Sequence, residues 1–166
     1  KAVLPVEESM QAALPEHFVL YRPRDVVSGD FYWFDIIEDK IFLVVADCTG
    51  HGVPGAFMTM LGTQALNEIV KQKKIYSPEL ILKDLDHTMR RMLQRKHTQI
   101  SDGMDAVVCV IDKKQNLLQF AGAHNSLIVV EQGDLRVIKG DSLGVNGYRR
   151  EGRELRFTLH NVPLNS

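Results

Sequence analysis

The stretch Ile41-Phe-Leu-Val-Val-Ala-Asp47-Cys-Thr-Gly-His-Gly-Val-Pro-Gly-Ala56 decides both the fold and the candidate site. Six apolar residues suited to a buried strand end at a lone carboxylate, Asp47, and a loop with three glycines then leads into an amphipathic helix. A charge at the end of a core strand loses hydration and needs a partner. The nearest cationic side chain in sequence, Lys40, lies on the other side of the apolar run. A bound cation is therefore the economical partner, and Asp30 is a candidate second ligand.

The composition is that of one globular domain. The chain has 166 residues, 45% of them hydrophobic and 25% charged, which is enough for one domain with a real core. With a net charge of −1 and scattered histidines, nothing in the composition suggests the strong positive field that nucleic-acid binding requires. No apolar run approaches the roughly 20 residues of a membrane span, and the first residues lack the apolar core of a signal peptide. Cys48 and Cys109 lie in apolar segments, which favours reduced, buried thiols in a cytoplasmic protein, although the sequence leaves a disulfide open.

The pattern of elements predicts an α+β fold with antiparallel sheets. Residues 31–37 and 41–46 are predicted to pair as a hairpin, and helical spacing follows from Val53 to Val70. A second helix is predicted to begin at Ser77-Pro78-Glu79. Further strands are predicted at residues 18–21, 106–111, 117–121, 127–130, 135–138 and 156–159. Long segregated runs of strands and helices are typical of α+β folds rather than parallel doubly wound ones.

The domain division predicted from this pattern has two parts. Residues 1–14 are interpreted as an N-terminal helix of the domain or as the end of a linker helix from an upstream domain. Residues 15–166 are predicted to form the domain itself.

Other chemistries fit the sequence less well. Gly50-His-Gly52-Val-Pro-Gly55 matches the dinucleotide pattern G-x-G-x-x-G, but three residues separate the strand from the first glycine, and a second helix follows where a strand is needed. No arginine lies six residues after either cysteine, as thiol phosphatases require, and no histidine pair has zinc-ligand spacing. His51 and His124 are predicted to be structural or solvent-facing loop residues.

Asp30 and Asp47 are the strongest candidates for a site. The start of one hairpin strand and the end of the next lie at the same edge of a sheet, so the two carboxylates can converge, which suits Mg²⁺ or Mn²⁺. The residues alone leave an alternative, in which Asp30 caps a turn and Asp47 accepts hydrogen bonds from the glycine loop. They also leave open whether Asp102 and Asp105 contribute to the site or cap the turn before their strand.

These stretches resemble a known family. Ser28-Gly-Asp-Phe-Tyr-Trp33 and Ala46-Asp-Cys-Thr-Gly-His-Gly-Val-Pro-Gly-Ala-Phe57 are similar to the first two signatures of the SpoIIE-like branch of the metal-dependent protein phosphatases, the PPM or protein phosphatase 2C-like family. The segments 102–106, 120–125 and 139–141 resemble later stretches of that branch. The resemblance implies a four-layer αββα sandwich of two antiparallel sheets flanked by helices.

The resemblance also implies a site and a reaction. The complete domain would hold two Mn²⁺ or Mg²⁺ ions, with Asp47 bridging both, Asp30 serving one, and the backbone carbonyl of Cys48 as a further ligand. A metal-bridging water would then attack the phosphorus of a phosphoserine or phosphothreonine monoester. The family carries two more metal-binding aspartates after a strand that corresponds to 156–159. We expect this C-terminal part of the fold to be missing from the chain, so that the fragment alone is weakly active or inactive.

The family further implies a role in bacterial signal transduction. The substrate would be a phosphorylated protein, often an anti-sigma-factor antagonist, and an upstream sensory or receiver domain would control the activity. We expect a cytoplasmic domain, which a membrane-anchored sensor protein can also carry, with no nucleic-acid or membrane contact of its own; a homodimer is a further possibility. The alternative function is a non-catalytic regulatory or dimerisation module that retains the phosphatase fold, with a nucleotide-binding protein as a distant third.

Overall fold

A computed structural model of the chain describes residues 5, 7–23, 27–93, 103–147 and 154–164. The helices are α1 (Glu7–Ala13), α2 (Gly52–Leu66), which continues as a π-helical segment (Asn67–Gln72), and α3 (Pro78–Leu93). The strands are β1 (Asp30–Ile37), β2 (Lys40–Cys48), β3 (Met104–Asp112), β4 (Leu117–Ala123), β5 (Leu127–Glu131), β6 (Asp134–Ile138) and β7 (His160–Pro163). The predicted α+β class is confirmed.

Both sheets in the described residues are antiparallel, as predicted. The larger sheet has the strand order β1-β2-β3-β4-β7, and β5 pairs with β6 as a separate two-stranded hairpin. The β1–β2 connection is only two residues long, and its first residue, Glu38, has φ 56°. Such short connections with a positive φ match the right-handed twist of the paired strands and fix their register. The first hairpin therefore sets the positions of all residues at the opposite end of β1 and β2.

The main core lies between one face of the larger sheet and the helices. Alternate residues of β1 to β4 point to this face, because side chains along a strand alternate between its two sides. Helices α2 and α3 and the π-helical segment bury their apolar faces against them. The fully buried side chains include Phe42, Val44, Leu66, Ile69, Ile81, Leu82, Leu85, Met89, Val108 and Val110. Each such apolar side chain contributes about 1.5–3 kcal/mol by its removal from water.

The opposite face of the larger sheet is partly covered by the N-terminal segment. Helix α1 buries Met10 and Ala13, and the Lys113 ammonium donates to the carbonyl of Ala13 at 3.2 Å. Between this segment and β1–β2 lies a cavity of about 600 Å³, with Asp30 and Asp47 in its lining. The helix predicted in residues 1–14 is present at Glu7–Ala13. Whether it is a linker helix stays open.

Two predicted strands are wrong. Residues 18–21 form no strand with any described residue, and Phe18 and Leu20 are 89% and 74% exposed. The last strand is β7 at His160–Pro163 rather than at 156–159. Before it, the backbone N–H and hydroxyl of Thr158 donate to the Asp141 carboxylate at 2.7 and 2.9 Å. The Asp141 carboxylate therefore accepts the hydrogen bond from the Thr158 N–H that a neighbouring strand would otherwise have accepted.

Candidate metal centre

The register of the sheet places three aspartates in a row. Asp30 lies directly opposite Asp47 across β1 and β2, and Asp47 lies directly opposite Asp105 across β2 and β3. Directly opposed residues in antiparallel strands project to the same face of the sheet. The structure thus brings Asp30 and Asp47 together, as the hairpin argument predicted. Their role as metal ligands stays a prediction.

The pKa of Asp47 reflects its burial and its acidic neighbours. Burial raises this pKa above its ordinary value, and a side-chain hydrogen bond with Asp30 and the negative charges of Asp30 and Asp105 raise it further. Each of these effects disfavours the ionised carboxylate, and a bound cation would reverse the balance. The electrostatics of this sheet edge are therefore those of a site that favours a cation.

The thiol next to the carboxylates is not a nucleophile. Burial first, and then the negative charges of Asp47 and Asp30, raise the pKa of Cys48 to about 12. Burial also raises the pKa of Cys109 to about 12. Both cysteines are free and buried, which confirms the predicted inert thiols and excludes a disulfide between them. The group of Cys48 that is suited to bind a hard cation is its backbone carbonyl oxygen.

Glycines hold the loop after Asp47 against the start of β1. A Cβ on Gly29 would lie 2.7 Å from the Gly50 carbonyl oxygen and 3.0 Å from that of Cys48. A Cβ on Gly55, in the first turn of α2, would also lie 2.7 Å from the Gly50 oxygen. Gly50 itself has φ 91°, a conformation that side chains rarely adopt. The close backbone packing thus requires glycine at these positions.

Hydrogen bonds tie the same loop to its neighbours. The Thr59 hydroxyl in α2 bonds to the carbonyls of Ser28 and Gly29 at 2.9 and 3.1 Å, so α2 holds the residues that precede Asp30. On the other side, the Thr49 N–H donates to the Gly103 carbonyl at 2.8 Å, and the Thr49 hydroxyl accepts from the Gly103 N–H at 3.1 Å. The ends of β1, β2 and β3 are therefore fixed relative to one another. Asp102 lies outside the described residues.

The sequence did not predict that two further residues lie beside the candidate site. Asp105 was left open, and His124 was interpreted as a structural or solvent-facing loop residue. In the structure the His124 Nδ1 lies 2.7 Å from the Asp105 Oδ1, and both line the space beside Asp47. The β2–β3 pairing is not a hairpin, because two helices separate the strands, so no local signal could have fixed the position of Asp105 opposite Asp47.

The donor set suits a hydrated hard cation. Carboxylate and carbonyl oxygens are the ligands that Mg²⁺ and Mn²⁺ prefer, and Mg²⁺ is commonly held through one or two carboxylates with several waters. Within the described ranges, no three His, Cys, Asp or Glu side chains are grouped closely enough to hold an ion by themselves. Asp30, Asp47 and the Cys48 carbonyl thus fit as part of a coordination sphere that needs further oxygen ligands.

Comparisons with known proteins bear on the family and the fold of the chain. Residues 37–151, more than half of the chain, match the family model described as Stage II sporulation protein E (SpoIIE). The SiaA-PP2C domain of Pseudomonas aeruginosa is 37% identical, with a TM-score of 0.83. That match covers 99% of this chain and 62% of the other, so this chain spans about three fifths of the length of that domain.

More distant solved structures share the fold. The PP2C phosphatase domain of SpoIIE from Bacillus subtilis, solved with a fragment of its regulatory domain, is 17% identical with a TM-score of 0.62, and the match covers 86% of this chain and 39% of that one. The RsbU and RsbW domains of a Mycobacterium tuberculosis protein are 22% identical with a TM-score of 0.64, covering 87% and 38%. None of the curated protein sequences compared with the chain matched it. No helix in the described part of the chain is long and apolar enough for a bilayer crossing.

Proposed function

We propose, because the chain belongs to the SpoIIE family, that it is the metal-dependent serine/threonine phosphatase domain of a bacterial signalling protein. The fold is that of PP2C-type phosphatase domains. The observation that carries the proposal is the pairing of Asp30 with Asp47 at the exposed edge of the larger sheet, directly beside the glycine loop. This edge is where the family resemblance expects the catalytic cations.

Asp30, Asp47 and the backbone carbonyl of Cys48 are the groups that would hold the cations, Mn²⁺ or Mg²⁺. When bound, such cations neutralise charge on a phosphoryl group and lower the pKa of a water molecule. Two ions are proposed for the complete domain. The ligands beyond these three groups would be water, further acidic residues or the substrate itself.

The protein's own contribution is a fixed array of oxygens. The backbone contacts of Gly29 and Gly50 and the hydrogen bonds of Thr59 hold Asp30 and Asp47 at a set separation. Positioning of this kind is what phosphoryl transfer needs, because its catalysis rests on orientation and charge neutralisation. The Cys48 thiol stays protonated at neutral pH, so it supplies no covalent nucleophile next to the acids.

The substrate is proposed to be a phosphoserine or phosphothreonine monoester on a regulatory protein, such as an anti-sigma-factor antagonist. Some solved structures with this fold come from multidomain regulators, which carry an RsbW domain in one case and a regulatory domain in another. By analogy, an upstream sensory or receiver domain is proposed to control this domain. These statements concern the whole protein. The match between this chain and the Pseudomonas domain covers 62% of the latter.

The proposal is tested by phosphate release from phosphoserine and phosphothreonine proteins in the presence of Mn²⁺. We expect activity from the natural protein that contains this chain, and at least about a 100-fold loss of kcat/KM in Asp47→Asn, the order found for loss of one electrostatic stabilising group. Asp134→Asn, on the exposed β6, is the matched control and should keep full activity. Activity that survives Asp47→Asn would contradict the proposal.

The alternative, a non-catalytic module, makes a different prediction. It expects binding of the phosphoprotein without turnover under all metal conditions. The weak or absent activity expected for the 166-residue chain by itself stays a prediction, tested by the same assay on that chain.

A further inference from the structure

We infer that Asp86 and Arg90 of α3 are positioning residues that hold residues 144–147 as one wall of the cleft beside Asp47. The inference rests on the proposed function and deepens it, because it identifies how a helix of the core sets the shape of the site. It adds no ligand to the cation site. Its basis is a buried charged pair whose members bond to backbone groups 60 and 57 residues later in the chain.

The Asp86 side chain is a carboxylate inside the core. It is fully buried, as are Leu85 and Met89 on the same helix. Removal of a charge from water is costly unless the charge is paired and hydrogen-bonded. An ion pair that served only to stabilise α3 would form equally well between positions i and i+4 on its exposed face. The burial of Asp86 therefore indicates that its carboxylate serves a contact outside the helix.

That contact is with the backbone of residues 146 and 147. The Asn146 N–H donates to Asp86 Oδ1 at 2.8 Å, and Arg90 Nε donates to Asp86 Oδ2 at 2.9 Å. Arg90 Nη2 donates to the Gly147 carbonyl at 2.7 Å. A guanidinium has several N–H donors in a fixed planar arrangement, so it can bond to a carboxylate and a carbonyl at the same time. The pair therefore fixes two consecutive residues relative to α3.

The same segment is bonded to β3 on its other side. Val145 is fully buried and exchanges two backbone hydrogen bonds with Met104, at 3.0 and 2.9 Å. Met104 lies directly opposite Cys48 in the register of β2 and β3. The segment thus lies between α3 and the strand ends that position Asp47, and it has hydrogen bonds to both.

Residues of this segment line the cleft beside Asp47. Gly144, Val145 and Gly147 border a space of about 330 Å³ together with Asp47 and Thr49. Asp47 is held by its pairing within the larger sheet, so it would stay in place if the α3 pair were lost. The segment would lose its support from α3, and the wall of the cleft would shift. A displacement of about 1 Å in the groups that orient a substrate can cost about 100-fold in rate.

The experiment compares two destabilising variants of α3 in the natural protein that contains this chain. Phosphate release from a phosphoserine protein is measured with Mn²⁺, at a temperature at which circular dichroism shows every variant folded. Asp86→Ala should lower kcat/KM at least about 10-fold, part of the loss that a displacement of about 1 Å can cause. Leu85→Ala is the matched control, because this fully buried position on the same helix should lower Tm similarly, but leucine has no polar group to bond to residues 144–147. It should keep the kcat/KM of wild type.

Two further variants test the pair itself. Asp86→Asn keeps an acceptor for the Asn146 N–H, so its kcat/KM should lie between those of Asp86→Ala and wild type. Arg90→Lys keeps a positive charge beside Asp86, but an ammonium lacks the planar arrangement of donors that serves the carboxylate and the Gly147 carbonyl together. It should lower kcat/KM more than Leu85→Ala does. If Asp86→Ala does not fold at any temperature, the comparison of Arg90→Lys with Leu85→Ala decides the inference.

The outcomes separate this inference from the proposed function. If Asp47→Asn is inactive while Asp86→Ala keeps the kcat/KM of wild type, or loses no more of it than Leu85→Ala, the pair only stabilises the fold and the inference is wrong. If the wild-type protein releases no phosphate, the proposed function and the inference are both wrong.

Discussion

Replacement of Asp86 by alanine should strongly destabilise the protein. Asp86 lies far from the candidate site in sequence. Asp86 lies in α3 and is fully buried. Its Oδ2 accepts from Arg90 Nε at 2.9 Å, and its Oδ1 accepts from the Asn146 N–H at 2.8 Å. Arg90 also donates to the Gly147 carbonyl at 2.7 Å. The two side chains thus clamp α3 to the segment that packs beside Asp105.

The expected loss in the free energy of unfolding depends on which buried groups lose a hydrogen-bond partner. Breaking a buried ion pair by removing one member costs about 3–5 kcal/mol, because the other charge stays desolvated. Arg90 is 28% exposed, so water can partly hydrate its guanidinium and the lower end applies. We therefore expect Asp86→Ala to lower the free energy of unfolding by about 3 kcal/mol. Asp86→Asn keeps an acceptor for the Asn146 N–H and should lose about half as much.

Urea unfolding monitored by circular dichroism measures this difference. Asp84→Ala is the matched control on the same helix, because Asp84 forms only a partly exposed pair with Lys73 at 2.8 Å and should cost under about 1 kcal/mol. A loss in Asp86→Ala no larger than that of Asp84→Ala would refute the argument. It would mean that the buried carboxylate contributes no more to stability than the partly exposed one.

Three further predictions concern other parts of the structure. Gly29→Ala should abolish Mn²⁺ binding and lower Tm, because its methyl group would lie 2.7 Å from the Gly50 carbonyl oxygen; normal binding by calorimetry would contradict this. Leu85→Ala, at a fully buried position in α3, should lower the free energy of unfolding in urea by about 2–5 kcal/mol, and a loss below 1 kcal/mol would be unexpected. The hydrogen bond from Lys40 lowers the pKa of Asp112 below its ordinary value of 3.8, so this carboxylate stabilises the fold above about pH 4 and loses that effect as the pH falls through its folded pKa. Asp112→Asn should therefore be less stable than wild type at pH 7, with a difference that shrinks as the pH falls through the lowered folded pKa of Asp112; a difference that stays constant on acidification would argue against the pairing.

Local patterns in the sequence determined the first hairpin and both long helices. The alternation of apolar residues and the short connection at residues 38–39 fix the register of β1 and β2, so the meeting of Asp30 and Asp47 could be predicted. Pro54 and Pro78 lie in the first turns of α2 and α3, as their positions in the sequence indicated. These features depend on contacts between residues close in the chain, whose geometry the residue types specify.

Only the tertiary structure decided which distant residues lie beside the candidate site. The pairing of β2 with β3 closes a loop that contains two helices, and no turn fixes its register, so the position of Asp105 opposite Asp47 was not predictable. His124 follows the end of β4 and lies beside Asp105. Its N–H donates to the Asp141 carbonyl, and the Asp141 carboxylate accepts from Thr158. The last strand lies at His160–Pro163 rather than at the predicted 156–159 for the same reason. The backbone N–H of Thr158 bonds to the Asp141 side chain instead of to a neighbouring strand. Packing between distant segments, rather than local preference, sets these positions, because each depends on partners that the neighbouring sequence does not contain.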